Sequence, residues 1–403
     1  MRLYLLALNP TDSVTEGFLP AAHRLGLPVT LLTDRPDDHR ERCPDGVDLL
    51  ECDVRDFRAV VRLISAQAAA PGAVFTNSDH LQTQAALAAA YFGLPAKDWR
   101  TALRTKDKAL MRRHLSSGRP ESERVRSAEV PAGADPATAL GTVADLPYPC
   151  VVKPREGVAS EDVFRVETPG ELVARCTEIQ GRRPGEALVV EEFLTGGLHT
   201  LETLGDGRVL HVLGGFRTEL SPPPYFIEER LTFVPAHPEP VVAQVLDQLT
   251  TLGVGFGACH TEFVIDTEGR ARIVEVNYRA IGDQCDLLLA ELLGIPLFEH
   301  ILRVHLGEPL PTDLGLRTGG AAVLDYPYAR TPGTLTHAPG PVELALDDVT
   351  LTYRPLRRTG ERHALHHTNR DFLGVIRATG RDQVSVDRAV ADFRAGQRWE
   401  IVP

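Results

Sequence analysis

The chain reads as α/β in its first part and α+β beyond it, and three observations predict this. Strand-like and helix-like stretches alternate with short loops through residues 1–100, the pattern of a parallel sheet with helices on its faces. From Tyr148 the pattern changes to apolar runs joined by turns rich in glycine, proline and aspartate, which suits antiparallel strands. Within that second part, Ala258–Asp283 reads as a hairpin that gathers acids and an amide on one face.

In the first part, Arg2–Leu8, Val29–Thr33, Val47–Cys52 and Ala73–Thr76 are strand candidates. Val14–Leu25, Phe57–Ala70 and His80–Phe92 are helix candidates. No GxGxxG follows the first strand, so dinucleotide binding is not indicated. The loops Asn9–Asp12 and Thr76–Asp79 follow strands, where ligands of open α/β sheets tend to sit. Residues 101–120 read as one helix, ended by Gly118 and Pro120, with Lys106, Lys108, Arg112 and Arg113 as a solvated charged face. Residues 121–142 read as a connecting loop.

PCVVKP, Pro149–Pro154, is a buried-looking strand ending near Lys153, followed by a small-residue loop through Ser160 and a strand at Val163–Val166. A lysine beside such a loop suits phosphate, because the ammonium neutralises charge while backbone N–H groups approach closely. Gly170–Gln180 is a helix, ALVVEEFL (Ala187–Leu194) a strand, and Val241–Leu252 a helix stopped by Gly253. Cys285–His305 has a helical pattern interrupted at Gly294-Ile295-Pro296. Residues 307–403 carry short strands, including Ala321–Leu324 and Glu343–Thr352, and a closing helix near Arg388–Gln397.

Composition narrows the function classes. The 403 residues are 43% hydrophobic and 24% charged, with net charge −12, which argues against broad nucleic-acid or anionic-membrane binding. No apolar run is long enough to span a membrane, and the MRLYLLAL start is too short for a signal segment. The six cysteines form no CxxC pair and do not cluster with histidines at zinc spacing. They read as buried structural thiols of a cytoplasmic protein.

The hairpin carries the chemistry. Strands Ala258–Ile265 and Arg272–Asn277 flank the turn Asp266–Gly269. Closure around Gly269 makes residue numbers across the ladder sum to roughly 535–537, which sets Glu262 near Glu275. Glu275 and Asn277 share a face by strand alternation. Two carboxylates this close repel unless a proton or cation intervenes. Such hard oxygens are what magnesium takes, together with substrate phosphates. A solvated hairpin edge is the plain alternative.

In order, the strand–helix domain, the DK pair at Asp107-Lys108, the VVKP strand and loop, the EEFL strand and the HTEF…EVNYR hairpin resemble the ATP-grasp superfamily. The HTE start, the EVN-x-R ending and the lobe after GGAAVLDYP look most like the L-amino acid ligase branch of carboxylate–amine ligases. The resemblance implies an ATP-grasp fold with an N-terminal α/β domain over residues 1–104 and an ATP-grasp domain over residues 105–310. It places a small nucleotide lobe at about 145–205 and a C-terminal α+β lobe at 311–403. It implies ATP with magnesium or manganese, small-molecule carboxylate and amine substrates, a homodimer, and amide formation through an acyl-phosphate with release of ADP. An ATP-grasp carboxylase using bicarbonate and a non-catalytic nucleotide-binding module are the alternatives.

By the same resemblance Lys108 and Lys153 contact ATP phosphates and Ser160 covers them. Glu191, Glu192, Phe193 and Leu194 form the adenine hinge. His199 and Glu202 border the ribose pocket. Glu262, Glu275 and Asn277 hold magnesium, and Arg279 stabilises the transferring phosphoryl group. Arg217, Asp283 and Arg330 are substrate candidates. Two positions depart from the pattern: Asp162 stands where many members have glycine in the phosphate loop, and Leu198 replaces an acid of the hinge turn.

Overall fold

The computed structural model describes the backbone of every residue except 142–145 and 317–319, and all side chains of the described residues but Ser122 and Leu316. Residue 145, at the small-lobe edge, and Gly319 of GGAAVLDYP lie outside the described residues.

The first strand is apolar on both faces, as a doubly covered parallel strand must be. Leu3 and Leu5 pack with Phe18 and Phe298, while Tyr4 and Leu6 pack with Val60 and Ile64 on the opposite face. The four-stranded parallel sheet runs in the order Val47–Glu51, Val29–Thr33, Arg2–Leu6, Pro71–Phe75. The chain order reverses between the last two strands, and the crevice beyond their carboxyl ends is where such sheets bind ligands.

A second four-stranded sheet, antiparallel, runs Ser127–Val130, Leu188–Glu192, Cys150–Pro154, Phe164–Val166. Helix Pro169–Arg182 lays Leu172, Cys176 and Ile179 against Val152 and Val190 of this sheet. Its start is capped by Thr168, whose hydroxyl accepts from the Glu171 N–H.

The largest sheet has ten strands, all antiparallel. It runs from Ala271–Asn277 and Phe256–Ile265 through Gly197–Asp206, Gly215–Leu220 and Glu228–Val234 to Ala321–Asp325, Gly374–Gly380, Val349–Pro355 and Val342–Leu346, with Leu210–Val212 paired beside Gly197–Asp206. The C-terminal strands therefore continue the sheet that carries the hairpin. Helix Glu239–Leu252 buries Val245 and Leu249 among Phe263 and Ile273, and ends at Gly253 in the left-handed conformation. A small sheet of Arg362–His363, Gly333–His337 and Glu400–Val402 completes the C-terminal part.

Several elements differ from the sequence expectation. Residues 101–120 form two helices, Trp99–Lys106 and Lys108–Ser116, because the Asp107 carboxylate caps the second by accepting from Ala109 N and Leu110 N at 3.0 Å. The stretch expected as a loop contains strand Ser127–Val130 and helix Pro136–Gly141. Glu343–Thr352 is a hairpin of Val342–Leu346 and Val349–Pro355, turned at Asp347 with φ 49°. The first helix begins with a wider π turn, Ser13–Phe18, before Leu19–Arg24. Among the described residues no helix is long and apolar enough to cross a membrane.

Candidate ATP and metal site

The hairpin closes in the register its turn dictates. Glu262 stands directly across from Glu275, and His260 across from Asn277. A bulge follows Glu262, where the register slips by one residue. All four side chains line a cleft of about 700 Å³ bounded by the parallel sheet, the small sheet and the large one.

The Asp107 cap places Lys108 at the first position of its helix, with its ammonium in the cleft. Lys108 Nζ donates to Glu275 Oε1 and to the Gly157 carbonyl, both at 3.0 Å. Burial alone would lower its pKa, but the Glu275 carboxylate outweighs that and the net direction is up. One ammonium thus joins the hairpin strand Ala271–Asn277 to the loop at Gly157.

Lys153 rises from the strand Cys150–Pro154 to within 2.8 Å of Glu191 Oε2. Arg112 grips the same carboxylate as a fork, Nε to Oε1 at 2.8 Å and NH2 to Oε2 at 3.0 Å, and donates to the Ile273 carbonyl at 2.6 Å. Burial pushes the Glu191 pKa up, but Arg112 and Lys153 overcome it and hold it at about 2. Desolvation keeps the Lys153 pKa below its ordinary value despite Glu191. The side chain of Glu191 is therefore a counter-ion that spaces two cations; Arg112, expected on a solvated face, is only 2% exposed. Lys106, expected there too, is half-buried beside the cleft and paired with the buried Asp79.

Glu191, Glu192, Phe193 and Leu194 all line the cleft, as does Leu198. Glu192 accepts from Arg272 NH1 at 3.0 Å, and the Arg165 guanidinium lies 4.6 Å over the Phe193 ring. Ser160 lines the cleft from a loop in which Ala159, Ser160 and Asp162 take φ of 55°, 56° and 57°. The Asp162 carboxylate turns out of this loop onto Arg182 NH2 and Arg183 Nε, each at 2.6 Å, and does not line the cleft. Its negative charge is thereby turned away from the cleft.

Beneath the hairpin, His260 Nδ1 lies 2.8 Å from Glu202 Oε1, and its Nε2 lies 3.5 Å from Glu262 Oε1. Burial opposes protonation of His260, but the two carboxylates raise its pKa to about 10. Glu202 is on the cleft side of its strand yet sits behind His260 and does not line the cleft, a correction to its expected ribose role. His199, one residue out of phase, faces the other side of the sheet. It lies against Phe263 and His237, and burial lowers its pKa to about 4. Arg217 pairs across the ladder with His199, is exposed, and binds Glu219 at 2.9 Å. Arg330 is exposed beside the Tyr328 ring. These three residues are away from the cleft, because strand parity and the edge loop carry them there.

Arg279 and Asp283 do line the cleft. Asp283, at φ 53°, has its pKa raised by burial and by Asp12, with Arg279 opposing. Glu228 is a cleft carboxylate that the sequence reading passed over. Burial, with Glu262 and Asp283 nearby, raises its pKa to about 8. Only its place on an alternating strand, FIEER, could have signalled it.

The donor set fits a hard divalent cation. Glu262, Glu275 and Asn277 bring two carboxylates and an amide oxygen to adjacent strands, short of a full cage, which is how magnesium is held when phosphate oxygens supply the rest.

Residues 146–287 match the ATP-grasp domain family, and the chain as a whole has the ATP-grasp fold. It is similar over its full length to an L-amino acid ligase from Bacillus licheniformis, with a TM-score of 0.80, 21% identity and 99% of that chain covered. A phosphoribosylglycinamide synthetase from Anaerococcus prevotii superposes with a TM-score of 0.70 at 14% identity, covering 100% of this chain and 99% of that one. An uncharacterized protein, y4rH, from Sinorhizobium fredii is 24% identical over 100% of this chain and 84% of its own length.

Proposed function

We propose that the chain is an ATP-dependent carboxylate–amine ligase that forms an amide through an acyl-phosphate and releases ADP and phosphate. The observation that carries this reading is the meeting, in one cleft, of Lys108, Lys153 and Arg279 with Glu262, Glu275 and Asn277, beside the hinge Glu191–Leu194. The likeness to an L-amino acid ligase supports an amino acid or similar small carboxylic acid as substrate.

A free carboxylate is a poor electrophile, and phosphorylation gives it a leaving group. Catalysis of that transfer is positioning and charge neutralisation. Lys153 and Lys108 offset charge on the phosphates from two sides. Arg279 meets the transferring group and the acyl-phosphate. Glu191 holds Lys153 and Arg112 at fixed spacing, so these charges are placed before substrate arrives. Magnesium, held by Glu262, Glu275 and Asn277, would neutralise phosphate oxygens.

A screen of amino acids and small acids in pairs tests this. ADP and phosphate should appear only when ATP, an acid and an amine are all present, and mass spectrometry should find the amide. Release of AMP and pyrophosphate, or turnover that needs bicarbonate in place of an amine, would sink the reading.

A further inference from the structure

Building on the phosphoryl-transfer reading of the cleft, we infer that Asn77, from the N-terminal sheet, is a positioning residue for Arg279. Asn77 follows the strand Pro71–Phe75, yet it reaches a residue 203 positions away. Its Oδ1 accepts from Ala280 N at 3.0 Å and its Nδ2 donates to Ala280 O at 3.4 Å. The carboxamide therefore pairs with the Ala280 peptide much as a neighbouring strand would. The same Ala280 carbonyl accepts from Arg279 NH1 at 2.9 Å. Asn77 thus fixes the group that in turn fixes the guanidinium.

The peptide on the other side of Arg279 is clamped from the same domain. Lys97 Nζ donates to the Tyr278 carbonyl and, at 2.8 Å, to Gln82 Oε1. Gln82 Nε2 donates to Thr76 O at 3.0 Å and to Ser78 O at 3.1 Å, so it sets the loop that presents Asn77. Between the two clamps the chain turns sharply out of the hairpin, with Arg279 N donating to Asn277 O at 2.7 Å. An arginine side chain has many rotamers to lose. Fixing both flanking peptides confines it before charge develops on the phosphoryl group, which is where such confinement acts.

The test uses the full-length protein with magnesium–ADP, alone and with aluminium fluoride as a mimic of the transferring phosphoryl group. In the wild type the fluoride complex should bind more tightly than ADP. Asn77→Ala should weaken the fluoride complex by roughly 10- to 100-fold, with ADP affinity held to within about twofold and the melting temperature lowered by only a few degrees, the scale of losing the two hydrogen bonds to Ala280. Asn77→Asp, which keeps the acceptor for Ala280 N, should fall between. Arg279→Ala should show the same selective loss, and the double variant should be no worse than Arg279→Ala alone. Additive losses in the double variant, or an Asn77→Ala protein that matches wild type, would overturn the proposal for Asn77 and leave the function standing. A wild type that binds the fluoride complex no better than ADP would overturn both.

Discussion

The carboxylate of Glu275 is held at 3.0 Å by the ammonium of Lys108, and Glu262 faces it across the hairpin ladder. A cation already stands where two acids converge, and its position is set by a helix cap, Asp107, rather than by the hairpin itself. Under the proposed function, magnesium held by Glu262, Glu275 and Asn277 would relieve Lys108 of this pairing and leave its ammonium for phosphate.

Glu275→Ala should therefore lower ADP formation by about 100-fold or more, the scale of losing one fixed electrostatic contact in a dry site. Raising magnesium should recover only part of it. Full activity in this variant, measured by phosphate release, would refute the metal assignment.

Glu191 compensates two buried cations, so removing it should destabilise. Glu191→Ala should cost about 3–5 kcal/mol, the range for stranding a buried charge, read by denaturant unfolding of the full-length protein. The pH dependence follows in sign. The native pKa of about 2 lies below the ordinary 4.5. The contribution is therefore full above pH 4.5 and lost as pH falls toward 2. Glu191→Gln should flatten that acid limb in melts taken across this window.

His260 behaves in the opposite sense. Its pKa is raised from 6.5 to about 10, so its stabilising charge is present below pH 6.5 and lost as pH rises through about 10. Glu202→Gln removes the nearer carboxylate, and the His260 pKa should fall. Proton NMR titration of the ring measures it; a value still near 10 would mean that Glu262 alone holds the proton.

Asp162→Gly should free the Ser160 loop, which the proposed function sets over phosphate. Glycine accepts the left-handed backbone, but the two pairs to Arg182 and Arg183 are lost. Each half-exposed pair contributes about 0.2–1 kcal/mol. Losing about 1 kcal/mol of loop order raises the KM for ATP about fivefold, and proteolysis within residues 157–163 should quicken. An unchanged KM with an unchanged cleavage rate would show that the loop is ordered by other contacts.

The hairpin was legible because its turn and strand period fix register: residue sums near 537 place Glu262 on Glu275, as observed. Parity also held information about Gly197–Asp206. Leu198 and Thr200 reach the cleft while His199 cannot, yet a motif position drew His199 to the ribose. Illegible were contacts set by tertiary packing. Nothing local to Arg112 announces a partner 79 residues on, and Asp162 found its arginines 20 and 21 residues away across a helix. The break at Asp107 was within reach, since an aspartate before a helical run is a capping signal.

The unbroken sheet has a consequence for any shortened form of the chain. Glu228–Val234 is paired on its outer side by Ala321–Asp325, which is itself followed by three more strands. A chain ending near residue 310 keeps every cleft side chain discussed here, but its Glu228–Val234 strand loses that neighbour. Raw N–H and C=O groups would lie open beside Leu231 and Phe233, a template for another chain to add to. Such a fragment should self-associate through that edge, and the C-terminal strands serve, whatever else they do, as its cover.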